Sequence, residues 1–160
     1  MDRFEDSIIG LLPRLRRFGR ALARDAADAD DLVQITLERA LARREQWQPG
    51  SRLDSWTMRI MKNAWIDEAR SRSRRRLVAV DGDAEAVADP GTASPAQRDA
   101  ALAVTQAMSQ LPEEQRLAVA LVLVEGLSYA EAAEVLEIPA GTLTSRLVRG
   151  RVALMGLLEA

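Results

Sequence analysis

One segment constrains this chain more than any other. Asp81 to Ser94 reads DGDAEAVADPGTAS, with four acids beside Gly, Pro and Ser, and Val87 as its one sizeable apolar side chain. Such a stretch has almost nothing to bury, so it reads as a solvated linker. It divides the 160 residues into two small folded units, residues 1–78 and 96–160, with 79–95 between them. Leu, Ala, Arg and Glu dominate on both sides and long alternating β-branched runs are absent, so both units are expected to be all-α.

The charge supports the division. A formal net charge of −2 conceals 17 basic against 12 acidic residues in 1–80, and 5 against 12 in 81–160. A +5 half and a −7 half point to different partners. The chain has neither Cys nor His, which removes disulfides, thiol nucleophiles, the usual triad base and the commonest zinc ligands. The longest apolar run, Leu117 to Val124, is far short of the ~20 residues that span a bilayer. Charges recur from Asp2 through Arg24, so no signal-peptide core is expected. The expectation is a cytoplasmic protein, not inserted in a membrane, without metal or cofactor, and not an enzyme.

In the first half, Phe4, Ile8, Leu11, Leu15, Phe18 and Leu22 recur at helical spacing, with an interruption at Pro13. Asp28 is the expected N-cap of the next helix, with Val33, Leu37, Ala40 and Leu41 as its buried stripe. Gln46 to Asp54 is a loop broken by Pro49-Gly50. Asp54 or Ser55 is then expected to cap a helix to about Arg70, with Trp56, Ile60 and Ala64 stacked on one side. In the second half a helix is expected from near Ala96 to before Leu111, and Pro112 at the first position of another. Leu117 to Val124 is read as buried helix, closed by Gly126.

Residues 127–151, LSYAEAAEVLEIPAGTLTSRLVRGR, carry the functional argument. Ser128 and Glu131 have the spacing of a capping box. Ala132, Ala133 and Leu136 form a small-residue face, and Glu137-Ile138-Pro139 a turn. A second helix follows with Leu143, Leu147, and Val152 or Leu154 as its buried side. Between Glu137 and Glu159 there is no acid, but there are Arg146, Arg149 and Arg151. That is a helix-turn-helix whose second helix suits a major groove, with Thr142, Thr144 and Ser145 as short polar readers near its start. A second basic feature is Arg70 to Arg76, RSRSRRR, close to Trp47, Trp56, Trp65 and Asn63. A frayed, solvated helix end would have the same composition, but Arg and aromatics together also suit single-stranded DNA.

Three segments in this order resemble the small extracytoplasmic-function (ECF) sigma factors of bacteria. They are DADDLVQITLERAL (28–41), RLDSWTMRIMKNAWIDEAR (52–70), and LPEEQR with VEGLSYAEAAEVLEIPAGTLTSRLVRGR (within 111–151). The resemblance implies a region 2-like bundle and a region 4-like helix-turn-helix. It implies core RNA polymerase as partner, through the β′ clamp helices and the β flap. Asp31, Gln34 and Glu38 match clamp-docking positions. Trp47, Ser51, Arg52, Arg59, Lys62, Asn63, Arg70, Arg72, Arg74, Arg75 and Arg76 match the surface that captures a melted −10 strand. Thr142, Thr144, Ser145, Val148 and Arg149 match the −35 reader, with Arg146 and Arg151 as phosphate or structural contacts. Many relatives carry Lys or Arg at the position of Thr144, so the promoter sequence does not transfer by analogy. The resemblance also implies an anti-sigma partner, and LVLVEGLSYAEAA (121–133) resembles the alphaproteobacterial general-stress group. The alternative from the residues alone is a stand-alone helix-turn-helix regulator, which would leave the segments at 28–41 and 52–70 without a role.

Overall fold

The computed structural model describes residues 3–23, 25–75 and 94–159; the side chains of 69, 70 and 72–75 lie outside that description. The described residues form eight α-helices and no strand. Helix α1 spans Arg3–Gly10 and α2 Leu12–Leu22, with Pro13 in the first turn of α2, where its missing N–H costs nothing. Helix α3 spans Ala26–Ala42. Its cap is Asp25, not Asp28: the Asp25 carboxylate accepts the Asp28 N–H at 2.7 Å, and Asp28 lies in the first turn. Helix α4, Leu53–Arg75, starts earlier and ends later than expected. Asp54 therefore sits inside its first turn, where arginines claim its carboxylate.

In the second half, α5 spans Pro95–Gln110 with a full capping box between Ser94 and Gln97. Helix α6, Glu113–Val119, begins one residue after Pro112 and continues into a π-turn over Ala120–Val124. Helix α7 is Tyr129–Leu136 and α8 is Ala140–Glu159. The linker expected at 79–95 falls almost wholly on 76–93, outside the described residues.

Helix α2 is the centre of the packing. It lies against α3 and α4 on one side and against α5, α6 and the π-turn on the other. Leu15, Phe18 and Leu22 are fully buried there, in one apolar cluster with Met58 and Met61 of α4 and with Leu117, Leu121, Leu143 and Leu147 of the second half. A smaller cluster joins Ile8, Ala40 and Ile60 to Phe4 and Trp56. The stripe of α3 keeps Val33 and Ala40 from the expectation, adds Ala29, Leu32 and Thr36, and leaves Leu37 half-buried. Thr36 is buried, its hydroxyl donating to Leu32 O at 2.7 Å, while Leu41 is 41% exposed. On α8, Leu154 packs on the core and Val152 is 68% exposed, which resolves the alternative left open.

Helices α6 and α8 cross closely at Gly150. A Cβ there would lie 2.8 Å from Val119 Cγ2 and 3.1 Å from Gln115 O. Only glycine leaves room for that approach.

Candidate nucleic-acid interface

The two helices of the turn motif meet as their sequence requires. The Ser128 hydroxyl accepts the Glu131 N–H at 3.1 Å, and Glu131 Oε1 accepts the Ser128 N–H at 3.2 Å. Ala132 and Ala133 are buried, which lets α7 lie close to its neighbours. Glu137 closes α7 in the left-handed region, φ 57°, and turns the chain into α8. On α8, Leu143, Leu147 and Gly150 face inward. Thr144, Ser145, Val148, Arg149 and Arg151 are exposed, and Thr142 and Arg146 are half-buried. Arg146 Nη2 stands 3.7 Å from Glu114 Oε1, so this arginine already has a structural neighbour on α6. From Ala140 to Arg151 the exposed side of α8 thus offers one valine, short hydroxyls and two arginines, and its first acid is Glu159 at the far end.

The basic surface of the first half is arranged differently. Trp47 is half-buried against Phe4, ring centroids 5.7 Å apart, and Trp56 meets the same ring edge-on at 6.0 Å. Trp65 is buried in the main core. Ser51 is exposed and donates its hydroxyl to Gln48 O at 2.6 Å, in the turn where Gly50 takes φ 94°. Asn63 is half-buried on α4. Arg52, Arg59 and Lys62 point at α7. Arg52 forms an ion pair with Glu131. Arg59 Nη2 donates to Glu134 O at 2.7 Å, and Lys62 Nζ lies 3.4 Å from Glu137 Oε2. Arg70, Arg72, Arg74 and Arg75 lie in the last turns of α4 with side chains outside the described ones, and Arg76 lies outside the described residues.

Sequence spacing gives no hint of the ion-pair chain that joins the halves. Arg17 grips the Glu125 carboxylate with two bonds, Nε to Oε2 at 2.8 Å and Nη2 to Oε1 at 3.1 Å. Arg14 adds Nε to Oε1 at 3.4 Å and Nη2 to Glu125 O at 3.2 Å. The Glu125 side chain is 0% exposed, so both arginines answer a fully desolvated charge. Arg14 Nη1 also donates to Asp54 Oδ2 at 2.9 Å, and Arg52 Nη2 to the same oxygen at 2.6 Å. Burial pushes the Asp54 carboxyl up, but the bonds from Arg52, Arg14 and the Ser55 N–H outweigh it and hold it below the ordinary carboxylate range. Glu131 is lowered too, first by its bond to the Ser128 hydroxyl, against its own desolvation, and then by Ser128 N–H and Arg52.

Elsewhere on the first half, Asp31 and Gln34 border a groove between α3 and α4, together with Glu38. Its floor is Leu32, Ile35 and Trp65, and Asp28 and Glu68 add two further acids. Such a surface suits a basic partner helix.

Comparison with known proteins agrees. Residues 101–154 match the model of sigma-70 region 4, and residues 8–62 match the sigma2 domain of PhyR. The ECF RNA polymerase sigma factor EcfG of Rhodopseudomonas palustris is 38% identical over 159 residues, 98% of this chain and 86% of that protein. The chain belongs to the ECF sigma factors. SigM of Mycobacterium tuberculosis is 36% identical over 91% of this sigma factor and 71% of its own length. Among solved structures, the sigma factor RpoE in complex with the anti-sigma factor NepR from Bartonella quintana superposes with a TM-score of 0.84. It is 30% identical, covering 100% of this chain and 99% of that one. CnrH, in complex with the cytosolic domain of CnrY, shares the fold with a TM-score of 0.71 at 24% identity, covering 98% and 87%. As an ECF sigma factor this protein serves core RNA polymerase in promoter-directed transcription. Among its described residues no helix is long and apolar enough to cross a membrane.

Proposed function

We propose that this sigma factor divides promoter recognition between residues 1–78 and 96–160. The first unit docks on the β′ clamp helices through Asp31, Gln34 and Glu38 and captures the melted −10 strand. The second sets α8 in the −35 major groove. The observation that carries this reading is α8 itself. Leu143 and Leu147 are buried, and the first three turns present Thr144, Ser145, Val148 and Arg149 on the exposed side, with no acid there to repel phosphate. Arg151 is exposed one turn on and suits a phosphate; Arg146, beside Glu114, positions the helix. Trp47, Ser51, Arg52, Arg59, Lys62, Asn63 and the arginines from Arg70 to Arg76 form the strand-binding side. Extruding a base costs a few kcal/mol, which stacking, phosphate contacts and polymerase binding offset together. No covalent chemistry is required, and the protein works in the cytoplasm, where the polymerase is.

The likeness to RpoE bound to NepR supports an anti-sigma protein as regulator, and the likeness to EcfG supports a place in the general stress response. A stand-alone regulator would have no use for the acidic α3–α4 groove. Run-off transcription with core polymerase tests the reading. Arg149→Ala is expected to lower −35-dependent transcription. Gln34→Ala is expected to weaken core binding and leave −35 binding unchanged. No stimulation on any promoter from a genomic library, with DNA binding intact, overturns it.

A further inference from the structure

The loop between α3 and α4 is held by one side chain. From Glu45 to Arg52 every residue is exposed except Trp47, which is half-buried. Its indole Nε1 is buried and has no hydrogen-bond partner among the described residues, so packing holds the ring. The ring it packs on is Phe4 of α1, with centroids 5.7 Å apart and planes at 52°. Phe4 also reaches the chain on either side of the loop. Before it, in the short 3₁₀ turn Arg44–Gln46, the Arg44 guanidinium lies over the Phe4 ring, 5.1 Å from its centroid. Arg44 Nη1 donates to Glu5 Oε1 at 3.3 Å, a second tie to α1. After it, near the start of α4, Trp56 meets the same ring edge-on at 6.0 Å. One ring thus touches positions 44, 47 and 56, which bracket the turn at 48–51.

The turn is fixed within itself. The Ser51 N–H donates to Gln48 O at 3.0 Å, and Gly50, at φ 94°, takes the third position of a type II turn after Pro49. Such a unit moves as a whole, about its two ends. Gln48 opens it and is exposed, with a side-chain amide that both donates and accepts, as a base edge requires. Where that amide stands relative to a strand on α4 is set by whatever holds the ends.

We propose that Phe4 is a positioning residue for base selection: its ring braces Arg44, Trp47 and Trp56, and so fixes where the turn at 48–51 meets the melted strand. Trp47 then serves as the brace of the loop and not as a stacking platform for a base. This rests on the strand-capturing role given to Trp47 and Ser51 above. Helix α1 thereby enters promoter recognition without touching DNA.

The test offers holoenzyme a pool of random-sequence single-stranded DNA and sequences the bound fraction. The quantity read is the preference for the best base over the worst at the most selective position. Phe4→Ala is expected to reduce that preference about tenfold, equivalent to about 1.4 kcal/mol, with affinity for core polymerase within about twofold of the parent. Phe4→Tyr keeps the ring and is expected to hold the preference within about twofold. Phe4→Leu keeps apolar volume against Ile8, Ala40 and Ile60 and so secures a folded variant; it is expected to lose about fivefold. Ile8→Val thins the same apolar cluster without removing a ring and is expected to leave the preference unchanged. In a double-mutant cycle, Phe4→Ala/Trp47→Ala is expected to be no worse than Trp47→Ala alone, because the brace is already broken. An undiminished preference in Phe4→Leu, an equal loss in Ile8→Val, or additive losses in the cycle overturns the proposal. A parent holoenzyme that selects no base shows instead that the strand-capture reading has failed, and the proposal falls with it.

Discussion

Glu125 illustrates how one side chain can tie two units together. It follows an apolar run and precedes Gly126, so its sequence neighbours suggest a plain surface turn. Instead its carboxylate is fully desolvated between Arg14 and Arg17, more than 100 residues away. Truncating it strands two cations at a packed interface. Glu125→Ala is expected to cost about 1–3 kcal/mol, less than a fully buried pair because the arginines keep some water. Urea denaturation followed by circular dichroism measures it. Gly150 makes the complementary point about space. Ala at 150 would put its methyl 2.8 Å from Val119 Cγ2 and against the Gln115 backbone oxygen, which cannot rotate away. Gly150→Ala is expected to destabilise by about 1–3 kcal/mol, read as a fall in thermal midpoint. Gly156, with open space around it, is expected to accept Ala without loss.

Among the elements, α8 was the most legible and α6 the least. A helix with leucines at 143 and 147 and no acid before Glu159 can only turn one way, so its exposed side follows from its sequence. The roles on that side separate by experiment. Arg149→Ala is expected to relax discrimination at one promoter position by about 1–3 kcal/mol. Arg151→Ala is expected to weaken all −35 sequences alike and to lower the salt slope by about 1. Binding of holoenzyme to a panel of −35 duplexes at several salt concentrations distinguishes them. Helix α6 hides its decisive feature. The π-turn over Ala120–Val124 inserts a residue before Glu125, whose N–H bonds Ala120 O at 2.9 Å. One residue is worth ~100° of rotation, and this rotation carries Glu125 toward α2. Nothing in ALVLV announces it. The expected caps of α3 and α4 differ for a related reason: Asp25, Asp28 and Asp54 are all good capping residues, and Arg14 of α2 together with neighbouring Arg52 decided what Asp54 does.

Across the whole molecule, charge governs how the halves meet. Asp54 and Glu131 both titrate below their ordinary range, so between the shifted and ordinary values the unfolded chain binds more protons than the folded one. Their contribution is present above the ordinary carboxylate pKa of about 4 and is lost as pH falls through the lowered values. Fluorescence transfer between the halves is expected to fall on acidification from about pH 5 to about pH 3, and to fall less in Asp54→Asn. The net charge of −2 thus conceals opposite charges that meet at Arg52–Glu131, Arg17–Glu125 and Lys62–Glu137.

The sequence alone determined the helices, the helix-turn-helix and the family, because periodicity, capping and turn residues act within a few positions of one another. It placed Asp31, Gln34 and Glu38 on the free side of α3, and left Leu143 and Leu147 no choice but the core. The tertiary structure alone decided that Arg52, Arg59 and Lys62 look at α7 rather than at solvent, and that Arg14, Arg17, Asp54 and Glu125 form one chain. Those pairings join residues distant along the chain. Their strength depends on how far each charge is desolvated, and only packing sets that.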